Sequence, residues 1–170
     1  MKPITLEQLL DSRDERHAVQ VRLMQEHPNK TLVCLTVVMP GSVKRNGQSL
    51  VVAHAAVENL KQCFQPQEDE LIERDLNTGY EAYLLTSFSR EEAKRITCEI
   101  EDSHLLGRLF DIDVLDETGI PIPRTAVGYE PRRCLICDHE ARYCMRNRTH
   151  SQEELQQHIN KLIENYVQRV

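Results

Sequence analysis

Two aspartates lie two residues apart inside an apolar run, Arg108–Leu115, whose sequence is RLFDIDVL. The β-branched and aromatic residues around Asp111 and Asp113 predict a strand, although aspartate itself is uncommon in strands. Because side chains alternate along a strand, both carboxylates are expected on one face, opposite Ile112 and Val114. Adjacent like charges repel unless a cation or hydrogen-bond donors lie near them. The pair therefore predicts either a magnesium site for a bound polyphosphate or the solvated face of an amphipathic edge strand.

The composition is that of an ordinary globular chain of 170 residues, with 40% hydrophobic and 28% charged residues. Its length favours one domain over residues 1–170. The net charge of −6 argues against general nucleic-acid binding, and no apolar run is long enough to span a membrane. The first residues lack the apolar core of a secretory signal, so we expect a cytoplasmic protein. Its six cysteines are then reduced thiols or metal ligands rather than disulfides.

The spacing of apolar residues predicts an α+β fold: a mixed or largely antiparallel sheet of about four to six strands, packed by about three longer helices. Those helices are expected from Thr5 to about Glu26, from about Ser49 to Phe64, and from Ser151 to about Arg169. Thr5 and Ser151 are expected to be N-caps, because each is followed three residues later by a glutamine or glutamate. The last helix follows a Cys- and Arg-rich segment, residues 124–150, in the same domain.

The remaining elements are shorter. Besides the aspartate strand, strands are predicted over Thr31–Met39, Tyr80–Phe88, Ile96–Glu101 and about Ile120–Thr125. The first of these is continuously apolar, which favours a central position buried on both faces. Glu68–Leu76 is ambiguous between strand and helix turn, and as a strand it could form a hairpin with Tyr80–Phe88. A short helix is expected over Arg90–Arg95, with Ser89 as its N-cap and Glu92 completing the capping box. Glu99 or Glu101 could supply a third carboxylate.

Two groups of arginines could bind phosphate, because a guanidinium matches the oxygens of a phosphate group. Arg13 and Arg16 lie three residues apart on the first helix and would share a face. The segment Arg124–Arg148, which includes Arg132 and Arg133, contains six arginines and three acidic residues. Alternating charges on a helix surface also describe an ordinary solvated face, so composition leaves both interpretations open.

Three cysteines and a histidine have the spacing of a zinc knuckle: Cys134-x₂-Cys137-x₆-Cys144-x₅-His150. His139 is a competing ligand. The alternative is that the three thiols are reduced and pack together under the C-terminal helix. Catalytic thiol chemistry is the least supported interpretation, because the sequence around these cysteines lacks a nucleophile-elbow context.

Four stretches together resemble a known family: SRDER at Ser12–Arg16, LTVVMPG at Leu35–Gly41, SHLLGRLFDIDVL at Ser103–Leu115, and PRRCLIC at Pro131–Cys137 with Cys144 and His150. The combination closely resembles the citrate lyase holo-acyl-carrier-protein synthases, also called apo-citrate lyase phosphoribosyl-dephospho-CoA transferases. The resemblance covers nearly the whole chain.

The resemblance implies a reaction and a partner. Triphosphoribosyl-dephospho-CoA would donate its phosphoribosyl-dephospho-CoA portion to a serine of the citrate lyase acyl carrier protein, the gamma subunit, and diphosphate would leave. Asp111 and Asp113 would hold Mg²⁺, with Arg108 as the nearest cation. The expected substrate-binding residues are Arg13, Arg16, His104, Gly107, Arg132 and Arg133. A partner nucleic acid or membrane is not expected.

One departure from polymerase-β-type nucleotidyltransferases matters for the fold. Those enzymes place a Gly-Ser or Gly-Gly pair well ahead of the aspartates, whereas Gly107 here precedes Asp111 by four residues. A polymerase-β-like fold is therefore only an analogy.

The residues alone also leave two other functions open. One is a non-catalytic, zinc-stabilised module that binds an acidic partner, and the other is a metal-dependent phosphohydrolase that uses the same carboxylates.

Overall fold

A four-stranded antiparallel sheet forms the centre of the molecule, in a computed structural model that describes residues 2–67 and 70–169. The strands are β1 (Thr31–Val37), β2 (Leu71–Leu76), β3 (Gly79–Thr86) and β4 (Phe110–Val114). The helices found in these residues are α1 (Leu6–Glu26), α2 (Gly47–Phe64), α3 (Arg90–Ser103), α4 (Ala141–Asn147) and α5 (Gln152–Val167). The sheet order is β2-β3-β1-β4 with every pair antiparallel, which confirms the α+β class.

Capping boxes begin four of the helices, because a side chain at the N-cap and one three residues later satisfy each other's backbone N–H groups. The predicted caps Thr5, Ser89 and Ser151 are confirmed. The second helix starts slightly earlier than predicted, at Gly47, because Asn46 is its N-cap and Ser49 is the return partner of that box.

The two faces of the sheet are covered by different helices. The main core lies where β1 and β4 meet α2 and α5, and its buried members include Leu35, Ile112, Leu60 and Ile159. A smaller apolar cluster lies on the opposite face, where Leu23 of α1 packs with neighbours from β1 and β3. Because β1 is an interior strand between these layers, its first five residues are buried, as its continuous apolar run predicted.

The predicted strand over Ile96–Glu101 is wrong, because these residues continue α3 to Ser103. The Ser89–Glu92 capping box starts the helix, and neither proline nor glycine interrupts it before Gly107. The buried residues Ala93, Thr97 and Glu101 follow helical spacing. An alternating run of only six residues can fit the period of a strand and also that of a helix. Here the capping box that precedes the run decided in favour of the helix.

The predicted last strand, Ile120–Thr125, is also wrong. Pro121 makes only an isolated bridge with Leu115, and Arg124–Val127 forms a 3₁₀ turn. Pro121 and Pro123 lack the N–H groups that a strand ladder needs. The hairpin of β2 and β3 is confirmed, whereas Glu68 and Asp69, at the start of the ambiguous segment, lie outside the described residues.

Strand ends differ by small amounts from the prediction. β1 ends at Val37 rather than Met39, and β3 ends at Thr86 rather than Phe88. No helix within residues 2–67 and 70–169 is both long and apolar enough to cross a bilayer.

Candidate active site

The two aspartates lie on β4, an edge strand, with their side chains on the sheet face that α1 covers. The alternating burial of β4 places Phe110, Ile112 and Val114 in the core and both aspartates on the other face, as predicted. Asp111 is paired with Thr36 across the sheet, and the Thr36 hydroxyl donates to its carboxylate at 3.3 Å.

Asp113 is more enclosed than its neighbour, and the two carboxylates affect each other. Burial, and then the negative charge of Asp111, raises the pKa of Asp113 above its ordinary value. The Asp111 side chain keeps 48% of its surface exposed. A pair of this kind gains from a cation placed between the carboxylates, because the cation offsets both their mutual repulsion and the loss of water.

Helix α3 fixes the free edge of β4. The backbone N–H of Ile112 donates to the Glu101 carboxylate at 3.0 Å, and Lys94 donates to the Ile112 carbonyl at 3.4 Å. Beyond the strand, Ile122 N–H donates to the Val114 carbonyl at 2.9 Å. An exposed edge would be free to shift or to pair with another chain, so these bonds hold the aspartates in a defined position.

Arg132 is the cation that directly contacts the aspartate pair. Its Nη1 donates to Asp111 at 3.0 Å, and its Nη2 donates to the Phe110 carbonyl and lies 3.5 Å from Glu101. Thus the basic segment folds back onto the edge strand and brings one of its arginines to the carboxylates.

Arg108 lies in the 3₁₀ turn Gly107–Leu109 that leads directly into β4. Its Nη2 donates to the Cys134 carbonyl at 2.9 Å, while its buried Nε has no hydrogen-bond partner among the described residues. Burial, and then the charge of Arg132, lowers the pKa of Arg108. A buried guanidinium N–H without a partner is suited to an anion such as a phosphate oxygen.

Gly107 permits the close approach of this turn to α3. A Cβ at this position would collide with the backbone carbonyl of Glu101 and lie 2.8 Å from that of Ile100. Gly107 therefore contributes to the site by placing Arg108, and its backbone packs against the end of a helix.

A cavity of about 250 Å³ opens beside Arg108 and Arg132. It is also lined by Arg124, Arg133 and three acidic residues. Arg124 is neutralised by carboxylates of Glu101 and Asp102, at 2.7 and 2.6 Å. Arg108 and Arg133 make no ion pair within the part of the chain that the structure describes. The cavity thus carries positive charge that is available to a ligand.

The two predicted arginines of α1 lie on the same sheet face but are less available. Arg16 donates to the buried Glu81 at 3.0 Å, and Glu81 also accepts from Arg74 and from the Tyr83 hydroxyl. The strand register aligns Glu81 with Thr36 and then Asp111 across the sheet. Arg13 is exposed, and its charge contributes, after burial, to lowering the pKa of Lys44.

The structure does not bring His104 to the aspartates. Its Nδ1 accepts the Leu106 N–H at 3.0 Å, and its ring packs against Phe110 and Tyr166, which belong to the core side. Burial lowers its pKa. These contacts are typical of a neutral histidine, and His104 is the C-cap residue of α3.

Neither candidate for a third carboxylate is a free ligand. Glu99 is exposed and accepts from Tyr129, whereas both oxygens of Glu101 are occupied, one by Ile112 N–H and the other by Arg124. Sequence reasoning missed Thr36, Lys94 and Glu81, since nothing local marks them. The register of β1 with its neighbouring strands brings Thr36 and Glu81 to the face that carries the aspartates. The docking of α3 brings Lys94 to the edge of β4.

The cysteine prediction is confirmed in its geometry. One ligand atom from each of Cys134, Cys137, Cys144 and His150 lies within 4.8 Å of the other three. Cys137 Sγ is 3.5 Å from Cys144 Sγ and 3.2 Å from His150 Nε2. The group lies at the N-terminal end of α5, since His150 directly precedes its N-cap, and the apolar face of that helix packs on the main core instead.

The surroundings of Cys134 favour a thiolate. Burial by itself would raise the pKa of this thiol, but hydrogen bonds with the backbone N–H groups of Ile136 and Cys137 and with the side chains of Cys144 and Cys137 together bring the pKa below its usual value. His139 lies 3.5 Å from Cys137 Sγ but outside the group of four. The four-residue group could hold a metal ion.

The sequence is also similar to known proteins along nearly its whole length. The sequence matches the apo-citrate lyase phosphoribosyl-dephospho-CoA transferase family over residues 4–166. It is 36% identical to the protein of that name from Escherichia coli O1:K1 / APEC, over 94% of this chain and 88% of that protein. It is 35% identical to a probable apo-citrate lyase phosphoribosyl-dephospho-CoA transferase from Streptococcus pyogenes serotype M18, over 96% and 87%.

A third relative is longer. The chain is 34% identical to protein CitXG of Haemophilus influenzae over 96% of its own length, but it spans only 36% of that relative. The family match extends over the aspartate strand, the arginine cavity and the cysteine group. The chain therefore belongs to the apo-citrate lyase phosphoribosyl-dephospho-CoA transferase family and is a transferase.

Proposed function

We propose that this chain transfers the phosphoribosyl-dephospho-CoA group from triphosphoribosyl-dephospho-CoA to a serine of the citrate lyase acyl carrier protein, with diphosphate as the leaving group. Family membership supports the group and its acceptor. The single observation that carries the site assignment is the carboxylate pair of Asp111 and Asp113, joined to an arginine-lined cavity by Arg132, which lines the cavity and contacts Asp111.

The carboxylate pair fits a divalent cation. Asp113 is disfavoured as an anion by burial and by Asp111, so an added positive charge would stabilise the ionised pair. Carboxylate oxygens are the ligands that Mg²⁺ prefers, in sites that it shares with substrate phosphates. When bound there, Mg²⁺ would supply charge neutralisation at the triphosphate and at the departing diphosphate.

The arginines account for the rest of the phosphate charge. Arg132 is held at Asp111, and Arg108 and Arg133 line the adjoining cavity. These cations bind and orient the triphosphate so that the carrier serine can approach in line with the leaving group, which gains charge as the bond breaks. Arg13 and Arg16 of α1 are proposed as outer contacts, because Arg16 is engaged with Glu81.

We also propose that the cysteine and histidine group holds Zn²⁺. Three thiolates and one imidazole form a closed tetrahedral donor set, which is typical of structural zinc. With usual zinc–ligand distances, neighbouring donor atoms lie roughly 3.5–3.8 Å apart, and the separations of 3.2 and 3.5 Å around Cys137 are close to this.

The decisive assay combines the protein, the triphosphoribosyl donor, Mg²⁺ and the apo carrier protein, and measures the intact mass of the carrier. The carrier is expected to gain the mass of the prosthetic group. A metal-dependent phosphohydrolase would instead release diphosphate when the carrier is absent. A non-catalytic binding module would leave both substrates unchanged.

Substituting the aspartates tests the site itself. Asp111→Asn and Asp113→Asn keep the side-chain shape but remove a metal-binding charge, and each should lower the transfer rate by about 10²–10³ or more. Glu99→Gln, on the exposed side of α3, is the control and should transfer at the normal rate. Folded aspartate variants with normal transfer would show that the pair is only a solvated strand face.

A further inference from the structure

The zinc group and Arg132 belong to one short segment, residues 131–150, called here the clasp. Two backbone bonds close it: Cys134 N–H donates to the His139 carbonyl at 2.7 Å, and Ala141 N–H donates to the Arg132 carbonyl at 2.8 Å. The second bond ties Arg132 to the first residue of α4, which carries Cys144. The position of Arg132 is thus connected to the ligand group through the backbone.

The clasp has very little apolar core of its own. Within it, Cys134 and Cys144 are the buried residues, and Leu135 packs partly against the main core. Most of its other side chains are exposed, including those of α4 other than Cys144 and Ala141. Twenty residues with so little apolar burial need another source of order, and a metal bound by four side chains can provide it.

The clasp contacts the aspartate strand and the adjacent turn at two points. The Arg132 guanidinium donates to Asp111 at 3.0 Å and to the Phe110 carbonyl. The carbonyl of Cys134, itself one of the four ligands, accepts from Arg108 Nη2 at 2.9 Å. Movement of the clasp would therefore displace one arginine from the carboxylates and remove a hydrogen bond that positions another.

We propose that Zn²⁺ bound by Cys134, Cys137, Cys144 and His150 is what positions Arg132 and Arg108 at the carboxylate pair, so that the metal controls the site without touching substrate. The catalytic consequence rests on the proposed function, whereas the metal site and the order of the clasp do not. Loss of zinc should release the clasp and leave the sheet and helices α1, α2, α3 and α5 folded, because the clasp contributes only the partly buried Leu135 to their cores.

The first test measures zinc content and local order. Cys137→Ser removes the ligand that lies next to both Cys144 and His150, and Cys63→Ser changes an exposed cysteine of α2 as the matched control. Elemental analysis should find about one zinc per chain in the wild type and in Cys63→Ser, and very little in Cys137→Ser.

Trypsin provides the measure of order, because the clasp contains the cleavable residues Arg142, Arg146 and Arg148. Cleavage there should become about tenfold faster or more when zinc is lost through Cys137→Ser, or through chelation of the wild-type protein, as expected for local opening. Circular dichroism should show that most secondary structure persists. Unchanged cleavage, absence of zinc from the wild type, or global unfolding on chelation would each overturn the proposal.

The second test asks whether Arg132 acts through the metal site. Arg132→Ala should lower kcat/KM for transfer strongly in the zinc-loaded protein, and by less than about twofold in the zinc-free protein, where the arginine is already displaced. Equal factors in both forms would show that zinc does not position Arg132. If no form transfers the group, the proposed function fails, and zinc content and proteolysis still decide the metal-ordered clasp.

Discussion

At the scale of single residues, the two aspartates of β4 have different environments despite identical chemistry. Asp111 is half-exposed and accepts hydrogen bonds from Thr36 and Arg132. Asp113 is more enclosed, and burial and the charge of Asp111 raise its pKa. The site therefore stores unfavourable electrostatic energy at Asp113, which a bound cation would relieve.

Asp113→Asn should therefore raise thermal stability at pH 7 without added Mg²⁺. A raised folded pKa means that stability is fully present below the unfolded value and is lost as pH rises through the folded value. The gain in Tm should be a few degrees, since about 1 kcal/mol shifts a chain of this size by roughly 2–4 °C. It should vanish as the pH falls below about 4.

Melting curves of the two aspartate variants between pH 3.5 and 7.5 make the measurement. Asp111→Asn is the comparison variant: it also removes the repulsion at Asp113 but loses the ion pair with Arg132, so it should be stabilised less than Asp113→Asn. A Tm of Asp113→Asn at or below that of the wild type at pH 7 would contradict the raised pKa.

Gly107 gives a second residue-scale prediction. Gly107→Ala should destabilise the fold by about 1–3 kcal/mol, because the added methyl group collides with the carbonyl of Glu101 and forces the Arg108 turn away from α3. Gly47→Ala is the control: nothing lies within 4 Å of its Cβ, and alanine is the better helix former. Urea unfolding of both variants should separate them, and equal stabilities would remove the packing role of Gly107.

At the scale of elements, the aspartate strand β4 is held from outside the sheet. β4 has a hydrogen-bonded neighbour on one side only, and side chains of α3 satisfy both backbone groups of Ile112 on the other. Glu101 joins this edge to Arg124 and Arg132, so one buried carboxylate connects strand, helix and basic segment.

Replacing that carboxylate tests the connection. Glu101→Gln keeps a group that can accept from Ile112 N–H but removes the charge facing Arg124, so it should destabilise the fold by about 3–5 kcal/mol, the cost of breaking a buried pair. Transfer activity should fall as well, since β4 would lose its fixed position. Thermal melting beside Glu99→Gln, two residues earlier and exposed, is the measurement, and matching melts would contradict the role.

At the scale of the whole molecule, the sheet separates the main core from the proposed site. One face packs with α2 and α5 into the main core, and the other carries the aspartates between α1 and the clasp. The proposed site thus lies on the face with the smaller apolar cluster, where charged side chains can stay hydrated or bind a ligand.

The sequence by itself determined the parts of this protein that depend on local chemistry. The capping boxes at Thr5, Ser89 and Ser151, the buried β1 and the two-residue period of β4 all follow from neighbouring residues. The cysteine spacing correctly predicted that Cys134, Cys137, Cys144 and His150 gather. These features could be predicted because each is specified by residues of one continuous, short stretch of chain.

Only the tertiary structure decided the contacts between distant segments. The pairing of β1 with β4 placed Thr36 at Asp111, and the docking of α3 brought Lys94 and Glu101 to the sheet edge. Among the candidate arginines, only the fold placed Arg132 on Asp111 and turned Arg16 toward Glu81. Charge pattern alone does not fix such pairs, since partners 21 and 65 residues apart are joined by packing rather than by sequence spacing.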